Sequence, residues 1–431
     1  MRGTRINRRT FLGIAGAAAA AGLLPRTARA GISPNEKINL AVIGCGGMGS
    51  RHIEALAVNE NCNLAALCDV YIPRYDAGQK MVEQLSGKKP DGYQDFRRVL
   101  ERNDIDAILI ASPDHWHPLL TILGCEAGKD VYVEKPACTT VEEGRAMVNA
   151  ARRYGSVVQV GTQQRSMPLF QQAIDIIQSG RLGVITSGTA WIGTNGALVH
   201  ESVREIPKGL DWDLWQGPAP WHDYTQERFT AFRAFLDYAR GGELANWGVH
   251  LVDILHWGIR QDRPLTVQAV GGNYLGGTGA DNYEVVDALL EYPGCTVTWE
   301  QHHSNTHSTK GYGMRFQGTR GRLTLDRGSF WLENLAPDSD LTAGEVVGAP
   351  ELSWANPDHH NNFFECIRAR KKPRADIEIG VRSTSAILLA GIALKVSRKL
   401  VWDGDAERFI GDAEANKHLT RPYRAPWRLD V

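Results

Sequence analysis

Residues 44–49 read Gly-Cys-Gly-Gly-Met-Gly, directly after the apolar run Ile38-Asn39-Leu40-Ala41-Val42-Ile43 and before a helical spacing of Ile53, Leu56 and Ala57. A G-x-G-x-x-G hexad between a strand and a helix confines the chain to few folds. Gly44 permits a tight turn, Gly46 lets backbone approach a pyrophosphate, and Gly49 lets the helix pack closely on the strand. The helix N-terminus, at Gly47 and Met48, offers N–H groups and a positive dipole end to an anion. A second apolar run over 63–68 ends at Asp69, 20 residues past Gly49. A carboxylate there accepts from a ribose 2′-hydroxyl and repels a 2′-phosphate, which favours NAD over NADP. Arg74, close downstream, works in the opposite direction.

The alternation continues with apolar runs at 106–111, 131–133 and 157–160, separated by helical patterns at 119–127 and 141–154. Strands alternating with helices give an N-terminal Rossmann domain, a doubly wound parallel sheet whose ligands sit at the carboxyl ends of strands. Ser112-Pro113-Asp114-His115-Trp116-His117 and Glu134-Lys135-Pro136 follow two such ends. Ser112, His115, His117, Glu134 and Lys135 are therefore expected along the cofactor crevice.

The remaining arithmetic excludes other classes. The chain has 431 residues, long enough for two domains, with 43% hydrophobic and 23% charged residues, which argues against disordered and fibrous proteins. A net charge of -1 lacks the electrostatic footprint of a nucleic-acid binder. Seven cysteines with no C-x-x-C pair argue against a disulfide framework or a zinc knuckle. No apolar run past residue 30 reads as a bilayer span, so no stable membrane insertion is expected. The N-terminus reads Arg8-Arg9-Thr10-Phe11-Leu12, then an Ala-rich apolar stretch to Leu24 and Ala28-Arg29-Ala30. This pattern predicts a cleavable twin-arginine signal over 1–30 and periplasmic export of a folded protein by the twin-arginine machinery. Folding in a reducing compartment then leaves buried thiols such as Cys45, Cys68 and Cys138 inert.

Further segments, in order and spacing, resemble the Gfo/Idh/MocA family (glucose–fructose oxidoreductase, inositol dehydrogenase and relatives) across roughly residues 36–402. They are Glu134-Lys135-Pro136, Gly161-Thr162-Gln163-Gln164-Arg165-Ser166, Asp211-Trp212-Asp213-Leu214-Trp215, Gly217-Pro218-Ala219-Pro220, Gly241 to His250 with Asp253, and His360-Asn361-Asn362-Phe363-Phe364. The resemblance implies a Rossmann domain over 36–160 and a C-terminal α/β domain with an open, mostly antiparallel sheet over 161–375, shaping the substrate site and making homodimers or homotetramers. A helix over 376–402 would pack back on the first domain, buried along Ile377, Val381, Leu388, Ile392 and Val396, with 403–431 as an extension. Gln163 is expected at the cofactor and Arg165 at the substrate.

Oxidising a secondary alcohol needs a base near the hydroxyl and a donor or cation for the developing alkoxide. The resemblance implies a lysine plus an Asp and a His four residues apart. Lys135 and His250 match, whereas the Asp position holds Asn246, which cannot take a proton. Base work is then expected of His250, with Lys135 polarising the oxygen and Asn246, Asp253 and Trp247 contacting substrate. His302, His303, His307, His359 and His360 repeat no ligand spacing, so no metal is expected. Tryptophans 191, 212, 215, 221 and 247 offer rings for stacking on sugar faces.

Export removes the protein from an exchangeable NAD pool, so a tightly bound, internally recycled cofactor is expected. Three functions fit. One is oxidoreduction of a sugar or cyclitol. Another is glycoside cleavage by transient C3 oxidation and elimination, with an extra base among His115, His117, His302 and Tyr283. The third is a non-catalytic NAD or sugar sensor.

Overall fold

The computed structural model describes residues 36–194, 199–274, 279–303, 311–337, 341–348 and 355–429. The signal expected over 1–30 lies outside these residues, as do His307 and the side chain of His303. Strands β1 (Ile38–Ile43), β2 (Cys62–Cys68), β3 (Asp91–Tyr93), β4 (Ala107–Ile110), β5 (Asp130–Val133) and β6 (Val158–Val160) form one parallel sheet in the order β3-β2-β1-β4-β5-β6. Its crossovers include α1 (Gly47–Ala57), α2 (Ile72–Ser86), α3 (His117–Glu126) and α4 (Val141–Tyr154). Every residue of β4 and β5 is buried, as strands covered on both faces require. The sequence-read elements fall within two residues of these bounds. The exception is β3, whose Asp-Gly-Tyr holds no apolar run to read. The order reverses beside β1, and that switch point opens the crevice described below.

The second layer is a ten-stranded mixed sheet in the order β14-β13-β12-β11-β7-β10-β9-β8-β15-β16. Its strands are β7 (Ile185–Thr194), β8 (Thr266–Gly272), β9 (Val285–Tyr292), β10 (Cys295–His303), β11 (Tyr312–Gly318), β12 (Gly321–Leu325), β13 (Ser329–Asn334), β14 (Gly344–Val347), β15 (Leu400–Asp403) and β16 (Arg408–Phe409). Within this sheet only β7 and β10 pair in parallel among the described strands. Strand β9 alternates strictly, burying Val286, Ala288, Leu290 and Tyr292 in the core cluster that also takes residues of α5 (Pro168–Gln178) and α6 (Gly242–Ile259).

Two late helices join the layers. Phe363, Phe364 and Ile367 of α7 (Pro357–Ala369) pack with Ile38, Leu40 and Val42 of β1, so the first sheet's core is completed from the far end of the chain. Helix α8 (Ile377–Val396) places Ile377, Val381 and Leu388 in the first domain's core and Ile387, Leu389 and Ile392 in the second's. It is buried almost all round, not along a single stripe, because both domains press on it. With 20 residues and mean hydropathy 1.5 it is long and apolar enough to cross a membrane, contrary to the expectation for residues past 30, yet 83% of that stretch is buried inside the fold.

Residues 404–429 pack against both domains. After β15 and β16 extend the second sheet, the chain returns to the first domain. Arg421 Nε donates to Glu143 Oε1 at 2.6 Å, Tyr423 Oη donates to the same oxygen at 2.8 Å, and Trp427 packs edge-on against Trp116. Arg421→Ala is expected to cost about 2 kcal/mol in urea unfolding, the magnitude of a charge-assisted hydrogen bond. The loss stays moderate because Glu143 keeps donors from Thr139 and Thr140. All seven cysteines are buried and unpaired, and burial pushes the Cys62 and Cys125 thiols up to about 12.

Candidate active site

A crevice of about 330 Å³ opens at the carboxyl ends of β1, β2, β4 and β5, lined by Gly44, Gly46, Gly47, Met48, Asp69, Arg74, Ser112, His117, Glu134 and Lys135 among others. Gly44 and Gly49 do what their spacing implied. Gly44 sits at φ +94°, and a Cβ on Gly49 would lie 1.8 Å from the Gly44 carbonyl oxygen, so helix and turn touch backbone to backbone. Gly46, the N-cap of α1, brings no side-chain acceptor to the first-turn N–H groups, and nothing stands within 4 Å of the Cβ position of Gly47. Free N–H groups beside open space suit a pyrophosphate. Asp69 accepts from the N–H of Cys45 at 2.8 Å and of Tyr71 at 2.9 Å. Burial raises its pKa against the pull of Arg74 and these donors. Arg74 stands at the crevice mouth, its guanidinium 3.3 Å from the Cβ position of Gly46 and 4.4 Å from the Phe229 ring. These groups fit a dinucleotide with a ribose at Asp69.

Glu134 is held by a histidine chain that the sequence did not reveal. His52 Nε2 donates to Glu134 Oε1 at 3.0 Å, and His52 Nδ1 lies 2.8 Å from His360 Nε2. Burial works against the Glu134 carboxylate, but the His52 hydrogen bond and nearby positive charge hold its pKa below the usual value. His117 lies between the carbonyls of Ser112 (2.9 Å) and Pro136 (2.7 Å), tying the two predicted loops together. His115 does not reach the crevice. Its ring packs on Trp215 and Tyr238, with Nε2 2.9 Å from the Trp215 carbonyl oxygen, and burial lowers its pKa to about 3. A ring in a turn can face either side of the backbone, and here an aromatic cluster took it.

Lys135 leaves the crevice toward α6. Its Nζ donates to Asn246 Oδ1 at 2.6 Å and to the Asn246 carbonyl at 3.2 Å, and Asn246 Nδ2 donates to Glu243 Oε2 at 3.1 Å. Burial, followed by the repulsion of Arg233, lowers the Lys135 pKa to about 8. Glu243 and Trp247 line a second cavity of about 460 Å³ with Arg233, Asn282, Tyr283, Glu284 and Gln301. Thr230, Phe232 and Arg233 line both spaces, so the two adjoin. His250 is buried under Trp247, 6.5 Å between ring centres, and lines neither cavity. Burial and then Lys135 push its pKa well below 6.5, so the ring stays neutral.

Two expected substrate residues lie elsewhere. Arg165 and Asp253 form a buried bidentate pair at 2.6 and 3.0 Å, Ser383 Oγ donates to Asp253 at 2.8 Å, and the guanidinium lies 5.1 Å from the Trp257 ring. Their polar atoms satisfy each other inside the fold. Gln163 is likewise buried and off both cavities. His359 spans Ser166 Oγ and the Val160 carbonyl, and His302 faces Asp287 at 2.7 Å on the sheet side opposite the buried Gln301. Of the five tryptophans, Trp247 lines the second cavity and Trp215 the first, where it stacks on Trp212 at 4.5 Å. Glu243 was missed because it precedes the Asn-to-His spacing that drew attention to α6.

Residues 38–162 match the profile of an oxidoreductase family with an NAD-binding Rossmann fold, and residues 177–274 and 349–429 match that family's C-terminal alpha/beta domain. Glycosyl hydrolase family 109 protein 1 of Shewanella sp. (strain ANA-3) is 28% identical over 199 residues, 43% of this chain and 40% of its own. The chain thus spans about two fifths of that relative's length. Among solved structures, the fold is similar to aldose-aldose oxidoreductase from Caulobacter crescentus complexed with glycerol, with TM-score 0.64 and 20% identity over 85% of this chain and 100% of that one. Levoglucosan dehydrogenase in complex with NADH gives TM-score 0.64 and 19% identity over 84% and 98%.

Proposed function

Because the chain belongs to the Gfo/Idh/MocA oxidoreductase family, we propose that it oxidises a secondary hydroxyl of a neutral sugar or cyclitol with a nicotinamide cofactor, NAD in preference to NADP. The observation that carries this function is the position of Lys135, a lining residue of the crevice whose amine is linked through Asn246 to Glu243 in the wall of the adjoining cavity. That cavity offers one aromatic face, Trp247, and side-chain acceptors and donors from Glu243, Asn282, Glu284 and Gln301, a lining suited to a polyhydroxylated ring.

The crevice glycines and the α1 N-terminus would hold the pyrophosphate and Asp69 a ribose, with Glu134 and Lys135 at the inner end. The bound nicotinamide would supply a hydride acceptor. Lys135 takes the hydroxyl proton, since an amine with a pKa of about 8 is partly unprotonated near neutrality. The base expected at His250 is reassigned, because a buried ring of strongly lowered proton affinity that borders neither cavity is a poor proton acceptor. Export through Arg8-Arg9 and a retained, internally recycled cofactor belong to the same proposal, as does a homodimer or homotetramer.

A second function, redox-neutral glycoside cleavage, is favoured by the similarity to a family 109 glycosyl hydrolase. Its extra base would come from Tyr283, Glu243 or Glu284 in the second cavity, since His115, His117 and His302 are engaged away from it. Purified protein, heat-denatured to release nucleotide and separately incubated with aldoses, ketoses, cyclitols and aryl glycosides, tests both. Paired sugar oxidation and reduction without added NAD is expected. Aglycone release would select the second function, and inert binding of sugar the sensor.

A further inference from the structure

Asn246 stands between an amine and a carboxylate, and its amide has one orientation that satisfies both. The oxygen accepts from Lys135 Nζ at 2.6 Å and the nitrogen donates to Glu243 Oε2 at 3.1 Å. A flipped amide would set N–H against an ammonium and C=O against a carboxylate. The carboxylate is itself fixed by the backbone. Gly242 turns the chain into α6 at φ +47°, where a Cβ would lie 2.7 Å from that of Asn282, and Glu243 follows in the helix's first turn, where the dipole favours its charge. Both Glu243 and Asn282 line the second cavity.

We propose that Glu243 is a positioning residue that, through the Asn246 amide, orients the Lys135 amine and sets its proton affinity. A carboxylate in direct contact would hold the lysine as a permanent cation. The intervening amide moves the negative charge one group away, so the amine keeps a hydrogen-bond acceptor and still titrates in the working range. The other charges around Lys135 are Arg233, which lowers its proton affinity, and Glu134 and Asp114, which raise it, with neutral His250 alongside. The proposal rests on Lys135 acting as the proton acceptor.

Its test needs neither nucleotide nor sugar. In the full chain, the rate of amine labelling of the Lys135 peptide by an acetylating reagent is followed against pH by mass spectrometry. The wild-type midpoint is expected at about 8. Glu243→Gln should lower it by about one pH unit, the loss of a unit charge one amide away, and the rising limb of any turnover profile should move with it. Asn246→Leu, which severs the link at similar volume, should lower it as well and decides the matter if Glu243→Gln does not fold. Asn246→Asp should raise it. An unchanged midpoint in Glu243→Gln or Asn246→Leu overturns the proposal, as does a raised KM with an unmoved pH profile. Failure of every sugar to react would instead count against the proposed function and leave this titration standing.

Discussion

Lys135→Met is expected to lower turnover about a thousandfold while the nucleotide stays bound, the loss typical of removing a group that moves a proton in the transition state. Methionine keeps much of the side chain's length and apolar volume and removes only the amine. The crevice proposed to hold the dinucleotide is lined by Gly44, Gly46, Gly47 and Asp69, which the substitution does not touch. In the wild type the sign of the pH dependence follows from the lowered pKa. A proton acceptor must be neutral, so oxidation should rise with pH through about 8 and then level off. The reverse reduction, which needs the protonated amine, should fall over the same interval. Steady-state rates from pH 6 to 10 in both directions, with nucleotide content measured on denatured samples, check this. Near-normal turnover would remove Lys135 from the chemistry, and loss of nucleotide would make it a cofactor ligand instead.

Arg165→Ala is expected to destabilise the protein by about 3–5 kcal/mol, because it leaves the Asp253 carboxylate buried without its partner. That is a large share of the ~5–15 kcal/mol by which folded proteins are stable. Ser383 would remain as a donor, which is too little for an ionised group with no exposed side-chain surface. Urea unfolding followed by fluorescence reads the effect. Arg165→Met combined with Asp253→Leu should recover much of it, since a well-packed apolar pair replaces a buried ion pair at little cost. If Arg165 contacted substrate instead, the single variant would raise KM at unchanged midpoint, and the double variant would rescue nothing.

The contrast between these two residues shows what a motif can reveal. Lys135 follows the end of β5, and in a doubly wound sheet the carboxyl ends of strands face the ligand whatever the side-chain detail, so its place was legible. The same holds for Gly44 to Gly49 and for Asp69. Arg165 and Asp253 sit in equally recognisable segments, yet their side chains turned inward and satisfied each other 88 positions apart. His115 and His250 show the same ambiguity, since an imidazole in a turn or on a helix is compatible with a core of aromatic neighbours or with a cavity. Glu243 lies within the Gly241 to His250 segment, but no role for it was legible, because that role depends on where Gly242 and Asn282 put the first turn of α6.

By itself the sequence determined the parallel sheet, the glycine turn into α1, a lysine lining the crevice at the strand ends and the unpaired cysteines, because each follows from backbone conformation, periodicity or counting within short segments. The tertiary structure alone decided that α7 completes the first domain's core, that the chain past 403 folds back onto α4, and that a carboxylate reaches Lys135 through an amide. Those outcomes turn on contacts between segments tens to hundreds of residues apart, where one rotamer or one packing choice decides whether a charge meets a partner, a cavity or solvent, and local sequence holds no record of that choice.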